Sequence, residues 1–228
     1  MKESKQSLPT LKKALQKNLS ELLETKGFKS KKDRLIEYNN NGIKQSIHLA
    51  FVDNRPENFT SLIVNLAIRI DQVEEIATAC SWADDLTAKE KKDMATIGVQ
   101  IGKLLGKGQL RWDIHSNAES EMVAKEVFNI LLETGIPYLV EHSNMNAVLK
   151  RFESDSFKEW HALLDSRAIR LPIILIILDK IEDAKVEFTR QYKMLLDSNS
   201  YLAPAYPKFV NEVCDHMNIT NPMEKLDE

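Results

Sequence analysis

The apolar residues keep two different beats along this chain. Between about residues 34 and 115 they recur at every second position, and on either side of that stretch at every third or fourth. A two-residue period fits only a strand with one buried face, and a period near 3.6 fits a helix with one buried stripe. The alternation is cleanest at 59–70, where Leu62, Val64, Leu66, Ile68 and Ile70 lie on one side and Ile63, Asn65, Ala67 and Arg69 on the other. Helix, then several strands, then helices predicts an α+β fold: a mainly antiparallel sheet flanked by helices, followed by an all-helical C-terminal region.

Local signals place the elements. Leu8, Leu11, Leu15, Leu19, Leu22 and Leu23 form one stripe over 8–25, with Pro9 near the start and Gly27 just past the end, both favoured at those positions. A short strand is expected at 34–38. Asn41-Gly42 is a strong hairpin signal, and in the next strand Ile43, Ile47, Leu49 and Phe51 share one face. Residues 72–93 read as partly helical. Two further strands, with Ile97, Val99 and Ile101 and then Leu110, Trp112 and Ile114 alternating, are expected to meet at a turn holding Gly106-Lys107-Gly108. Ser116 and Glu119 match a capping box for a helix over 117–134, ended by Gly135. An extended piece at 137–141 is expected next, then helices near 145–153, 156–165, 168–181, 183–197 and 205–217, with Pro172 in the first turn of the third. The expected division is an α+β domain over 1–142 and a helical region over 143–228.

Composition narrows the class. Apolar residues make up 43% of the 228, and only seven Gly, seven Pro and two Cys are present. This excludes disordered, collagen-like and disulfide-scaffold chains. The longest apolar run, Leu171–Leu178, is far shorter than the roughly 20 residues of a bilayer span. Cys80 and Cys214 fit reduced, buried thiols, and a cytoplasmic protein without membrane contact is expected. Charge is uneven: residues 1–34 hold ten Lys/Arg against four Asp/Glu, a net of +6, and the remainder 21 against 30, a net of −9. The cluster Lys26, Lys29, Lys31, Lys32 and Arg34 reads either as a patch for nucleic acid or an acidic partner, or as a solvated helix face and loop.

Chemical motifs are sparse. Gly102 to Gly108 is one residue short of a phosphate loop and lacks its hydroxyl, so a bent strand and a hairpin turn account for the glycines. The five His are scattered, and Cys214 and His216 would point to different sides of a helix, so neither metal nor cofactor is expected. No G-x-S-x-G elbow marks a nucleophile. One constellation stands out. The non-core faces of the strands carry Lys44, Ser46 and His48, then Asn65 and Arg69, then Arg111, Asp113 and His115. The candidate ligand or partner surface is therefore His48, Asn65, Arg69, Arg111, Asp113 and His115, with Asp113 orienting His115 or His48. A polar outer face is also what any one-sided antiparallel sheet shows to water.

Leu15 to Phe28 ("LQKNLSELLETKGF"), the Tyr38 strand, the Asn41-Gly42 hairpin, "FTSLIVNLAIRI" at 59–70, "IGKLLGKGQLRWDI" at 101–114 and the helix ending in "LLETGIPYL" follow in order. Over roughly 8–142 this resembles the bacterial domain-of-unknown-function 4304 family, which implies a bacterial intracellular α+β protein and supplies no catalytic residues. The expected function is a non-enzymatic binding or interaction module with a protein partner, of which an immunity-type protein is one version. The alternatives are a small-molecule enzyme working from the polar sheet face, and nucleic-acid binding through the basic N-terminal stretch.

Overall fold

The first helix, α1 (Leu8–Glu24), buries Leu11, Leu15, Leu19 and Leu23 and so points one leucine stripe inward. Gly27 ends it in the left-handed region at φ 84°, where the Phe28 N–H donates to the Leu23 carbonyl, a closure that a Cβ would disfavour. These details come from a computed structural model, which describes residues 7–32, 35–154 and 164–223.

Among the described residues six strands follow: β1 (Lys29–Lys32), β2 (Leu35–Asn40), β3 (Ile43–Asn54), β4 (Phe59–Ile70), β5 (Ile97–Gln100) and β6 (Trp112–Ile114). The sheet order is β1-β2-β3-β4-β5, with β6 also on β4. Asn41 and Gly42 both take positive φ, 45° and 77°, the geometry of a type I′ turn matched to strand twist. That turn sets Asn40 opposite Ile43, Ile36 opposite Ile47 and Leu35 opposite His48. Ile36, Ile47, Leu49, Leu62, Val64, Leu66, Trp112 and Ile114 fill one face. The strand β1 falls within the basic cluster for which the sequence offers a solvated helix face and loop; its composition, Lys-Ser-Lys-Lys, is poor in strand formers but common at sheet edges.

The expected hairpin between the 97–101 and 110–114 strands does not form. Both β5 and β6 pair with β4, and 101–111 makes an excursion between them, opened by the short helix α4 (Ile101–Leu104). Gly102 lies so close to the backbone of Gly108 and Leu110 that no side chain fits, and Gly106 and Gly108 turn at φ 68° and 66°. The glycines thus fold a loop that interrupts one edge strand.

After β6 comes α5 (Asn117–Ile130). Its Ser116 hydroxyl accepts from the Glu119 N–H at 3.2 Å, while the Glu119 carboxylate reaches back to the His115 N–H at 2.7 Å. Gly135 does not stop this helix. A π turn at Leu131–Gly135 carries it into α6 (Ile136–Glu141), so the extended piece expected at 137–141 is helical. Pro137 falls in the first turn of α6, where its missing N–H is tolerated, and the wide π turn brings Gly135 against Leu66 and Ile101.

The chain divides into two compact units, residues 1–68 with 98–143 and residues 69–97 with 144–228. In the first, α1 packs on α5, and both cover the apolar side of the sheet. The second holds α2 (Asp71–Ala79), α3 (Ala88–Asp93), α7 (Met145–Glu153), α8 (Leu164–Ile177), α9 (Ile181–Asp197) and α10 (Tyr206–Met217). The α8 helix packs against α2, α7 and α9, and residues 168–176 are all buried, as expected of a helix apolar on every side. Its described residues run from Leu164, so Pro172 lies inside it rather than in its first turn. Asp179 closes it at φ 60°, taking the role glycine usually fills. The helix expected at 156–165 falls largely outside the described residues.

Candidate functional site

The outer face of the sheet in the first unit carries five of the six candidate residues. His48, Arg111, Asp113 and His115 are exposed and Asn65 is half-buried. Strand pairing explains the grouping. Ser61 sits opposite Asp113 and Leu62 opposite Trp112, so the odd positions of β4 and β6 share the face away from the leucine core.

The expected pairing of Asp113 with a histidine is replaced by two other contacts. The Asp113 carboxylate accepts from the Ser61 hydroxyl at 2.5 Å. The His115 ring lies against Phe59 with centroids 4.8 Å apart. Register decides this: Asp113 and His115 are neighbours along one strand, about 7 Å apart, whereas Ser61 is directly across from Asp113. Arg111 donates to the Gln109 side chain at 2.7 Å.

Arg69 is placed elsewhere. It is 8% exposed and belongs to the second unit. Its guanidinium donates to Asp71 at 2.7 Å and to the carbonyls of Lys91 and Met94 at 2.8 and 3.2 Å. Arg69 therefore ties the end of β4 to the α3 segment and is not part of the exposed face.

A second polar group had no counterpart in the sequence reading. Glu74 on α2 is fully buried and meets Arg170 of α8 in a two-pronged pair at 2.7 and 2.8 Å; Arg170 also donates to Ser166 at 2.8 Å. One turn away, Arg167 is 1% exposed and 3.9 Å from Glu187, which also accepts from Arg190 at 2.7 and 2.8 Å and from Gln191 at 2.5 Å. The signal lies in the sequence: two arginines three apart, beside a run of apolar residues in one helix, must find partners when buried. Such pairs brace the helices. Glu74, Arg170 and Arg167 are enclosed by packing, whereas the Arg190 side chain reaches solvent.

Two more buried groups bear on pH. Burial, with the Glu212 carboxylate adding to it, pushes the Cys80 thiol up to about 12. Burial, with Glu187 nearby, holds the Tyr206 hydroxyl well above its ordinary range, while that hydroxyl donates to the Ala168 carbonyl at 2.8 Å. Both groups bind their proton more tightly folded than unfolded, so their stabilisation is complete below the unfolded values of 9.0 and 10.0 and is lost as pH rises past them. Denaturant midpoints of the second unit are therefore expected to stay level up to pH about 9 and fall toward pH 12, with a shallower fall in Cys80→Ala.

No family model, no curated protein and no solved structure matches the chain. Among the described residues, no group of three His, Cys, Asp or Glu side chains is placed to hold a metal ion. No helix among them is long and apolar enough to cross a membrane.

The basic cluster lies at the sheet edge. Lys26, Lys29 and Lys31 are all exposed, the last two on β1. Phe28, the aromatic among them, is 2% exposed and packs against Tyr38 with centroids 5.7 Å apart. Arg34 lies outside the described residues.

Proposed function

We propose that this chain is a non-enzymatic binding module that contacts a protein partner through the outer face of its sheet, with residues 8–142 akin to the domain-of-unknown-function 4304 family. One observation carries the reading. Two of the side chains able to do acid–base work there are held in contacts with neighbours, Asp113 with Ser61 and His115 with Phe59, yet they stay exposed beside His48 and Arg111. A general base must be aimed at a substrate proton, whereas a recognition surface needs only exposed, held, chemically varied side chains. Both charge signs occur on this face, which suits selection of one partner over others.

A photo-crosslinking residue at position 111 tests this in cells that make the protein. The expected result is one recurrent crosslinked protein. Once purified, it should bind the wild type and bind His48→Ala/Arg111→Glu/His115→Ala at least about tenfold more weakly. The variant's melting temperature shows whether the fold survives. Equal binding by a folded variant would remove the sheet face as the contact.

A further inference from the structure

We propose that the free edge of β1 takes up an extended acidic segment of a partner protein as an added strand. This site is the main-chain edge of β1, at the other end of the sheet order from the β4–β6 pairing, and does not depend on that reading. The strand β1 ends the sheet order and, among the described residues, pairs only with β2. One side of its main chain therefore carries N–H and carbonyl groups with no ladder partner among the described residues. Lys29, Ser30 and Lys31 are all exposed, and the contact described to their side chains is a 3.4 Å bond from the Gln16 amide of α1 to the Ser30 hydroxyl.

Charge chooses the occupant. Lys26, Lys29 and Lys31 cluster here, and among the described residues none of them is in an ion pair. The carboxylate directly across the register from Lys29 is Glu37, on the same face of the strand pair and buried, so Lys26 and Lys31 carry the charge left over for a partner. Lysines on an edge repel a second copy of the same edge and disfavour neutral apolar strands. A register shift between Ser30 and Lys32 leaves Lys31 out of the β1–β2 ladder, and the lysines attract a strand rich in Asp or Glu, since opposite charges across a ladder stabilise it and like charges weaken it. The repulsion that protects the edge from self-pairing thus becomes selectivity for an acidic strand. Nucleic acid fits less well, because single strands bind by stacking bases on exposed aromatics and Phe28 is buried against Tyr38. The edge is four residues long, so main-chain bonds alone give modest affinity and the charges must contribute much of it.

The test uses the full chain and three probes: a blocked ten-residue peptide alternating Glu and Val, the same peptide N-methylated at alternate residues, and decathymidylate. Amide hydrogen exchange and fluorescence anisotropy read the outcome. The expected result is weak, saturable binding of the first peptide, falling about tenfold or more between low and moderate salt. New amide protection should be confined to β1. Lys29→Glu/Lys31→Glu should abolish binding, and Lys29→Gln/Lys31→Gln should weaken it, both at exposed positions where the fold tolerates change. Undiminished binding of the N-methylated peptide would show attraction by charge without strand addition and overturn the proposal. So would tighter binding of decathymidylate, protection outside β1, or no binding of the first peptide. None of these outcomes bears on crosslinking at position 111.

Discussion

Glu74→Ala is expected to destabilise the second unit by about 3–5 kcal/mol, because it strands a buried guanidinium. Arg170 is 3% exposed. With Glu74 gone, Ser166 is its remaining hydrogen-bond partner among the described contacts. The loss does not measure what the pair contributes. Replacing both partners by apolar groups of similar volume, as in Glu74→Leu/Arg170→Met, removes the desolvation cost along with the attraction and is expected to come out near neutral or better. Urea unfolding read from Trp82, which lies in this unit and donates to the Ala77 carbonyl at 2.5 Å, distinguishes the cases when the other tryptophans are replaced by Phe. If the single and double variants lost the same stability, the ion pair would be an incidental feature of packing around α2 and α8.

The sheet was legible because its signals are local. The alternation at 62–70 and the Asn41-Gly42 turn each specify backbone shape without help from distant residues. What was missed depends on tertiary context. Lys29–Lys32 becomes a strand because β2 offers an edge, not because lysine favours strands. The run through Gly135 and Pro137 carries two residues that usually end a helix, and it stays helical because a π turn fits Gly135 against Leu66 and Ile101. The candidate face was readable as a parity pattern, which is why His48, Asn65, Arg111, Asp113 and His115 fall on one side. Parity says nothing about cross-strand register, so Ser61 and Phe59 were not foreseen as the partners of Asp113 and His115. Arg69 shares that parity, yet its long side chain turns back to the carbonyls of Lys91 and Met94, contacts made by residues more than 20 positions away.

Gly102→Ala is expected to destabilise the first unit by about 1–3 kcal/mol, toward the upper end of that range. A Cβ at 102 would meet the Leu110 amide nitrogen at 2.6 Å and its Cβ at 2.7 Å, and would approach the Gly108 carbonyl oxygen closer still. Two of those three atoms are backbone, so no rotamer change relieves the overlap. Relief requires opening the 102–110 loop, and that loop returns the chain to β4 as β6. The damage should therefore appear as lost amide protection across the β4–β6 pairs, Thr60 with Ile114 and Leu62 with Trp112. Because Asp113 and His115 are held on that short strand, any partner that contacts the outer face should lose affinity in parallel. Gly42→Ala supplies the contrast: nothing lies within 4 Å of its missing Cβ, so it carries only the left-handed backbone cost of about 1–2 kcal/mol and should leave β6 protected. If Gly102→Ala left β6 protection unchanged, the close approach at 102 would not be what holds the interrupted edge strand in place.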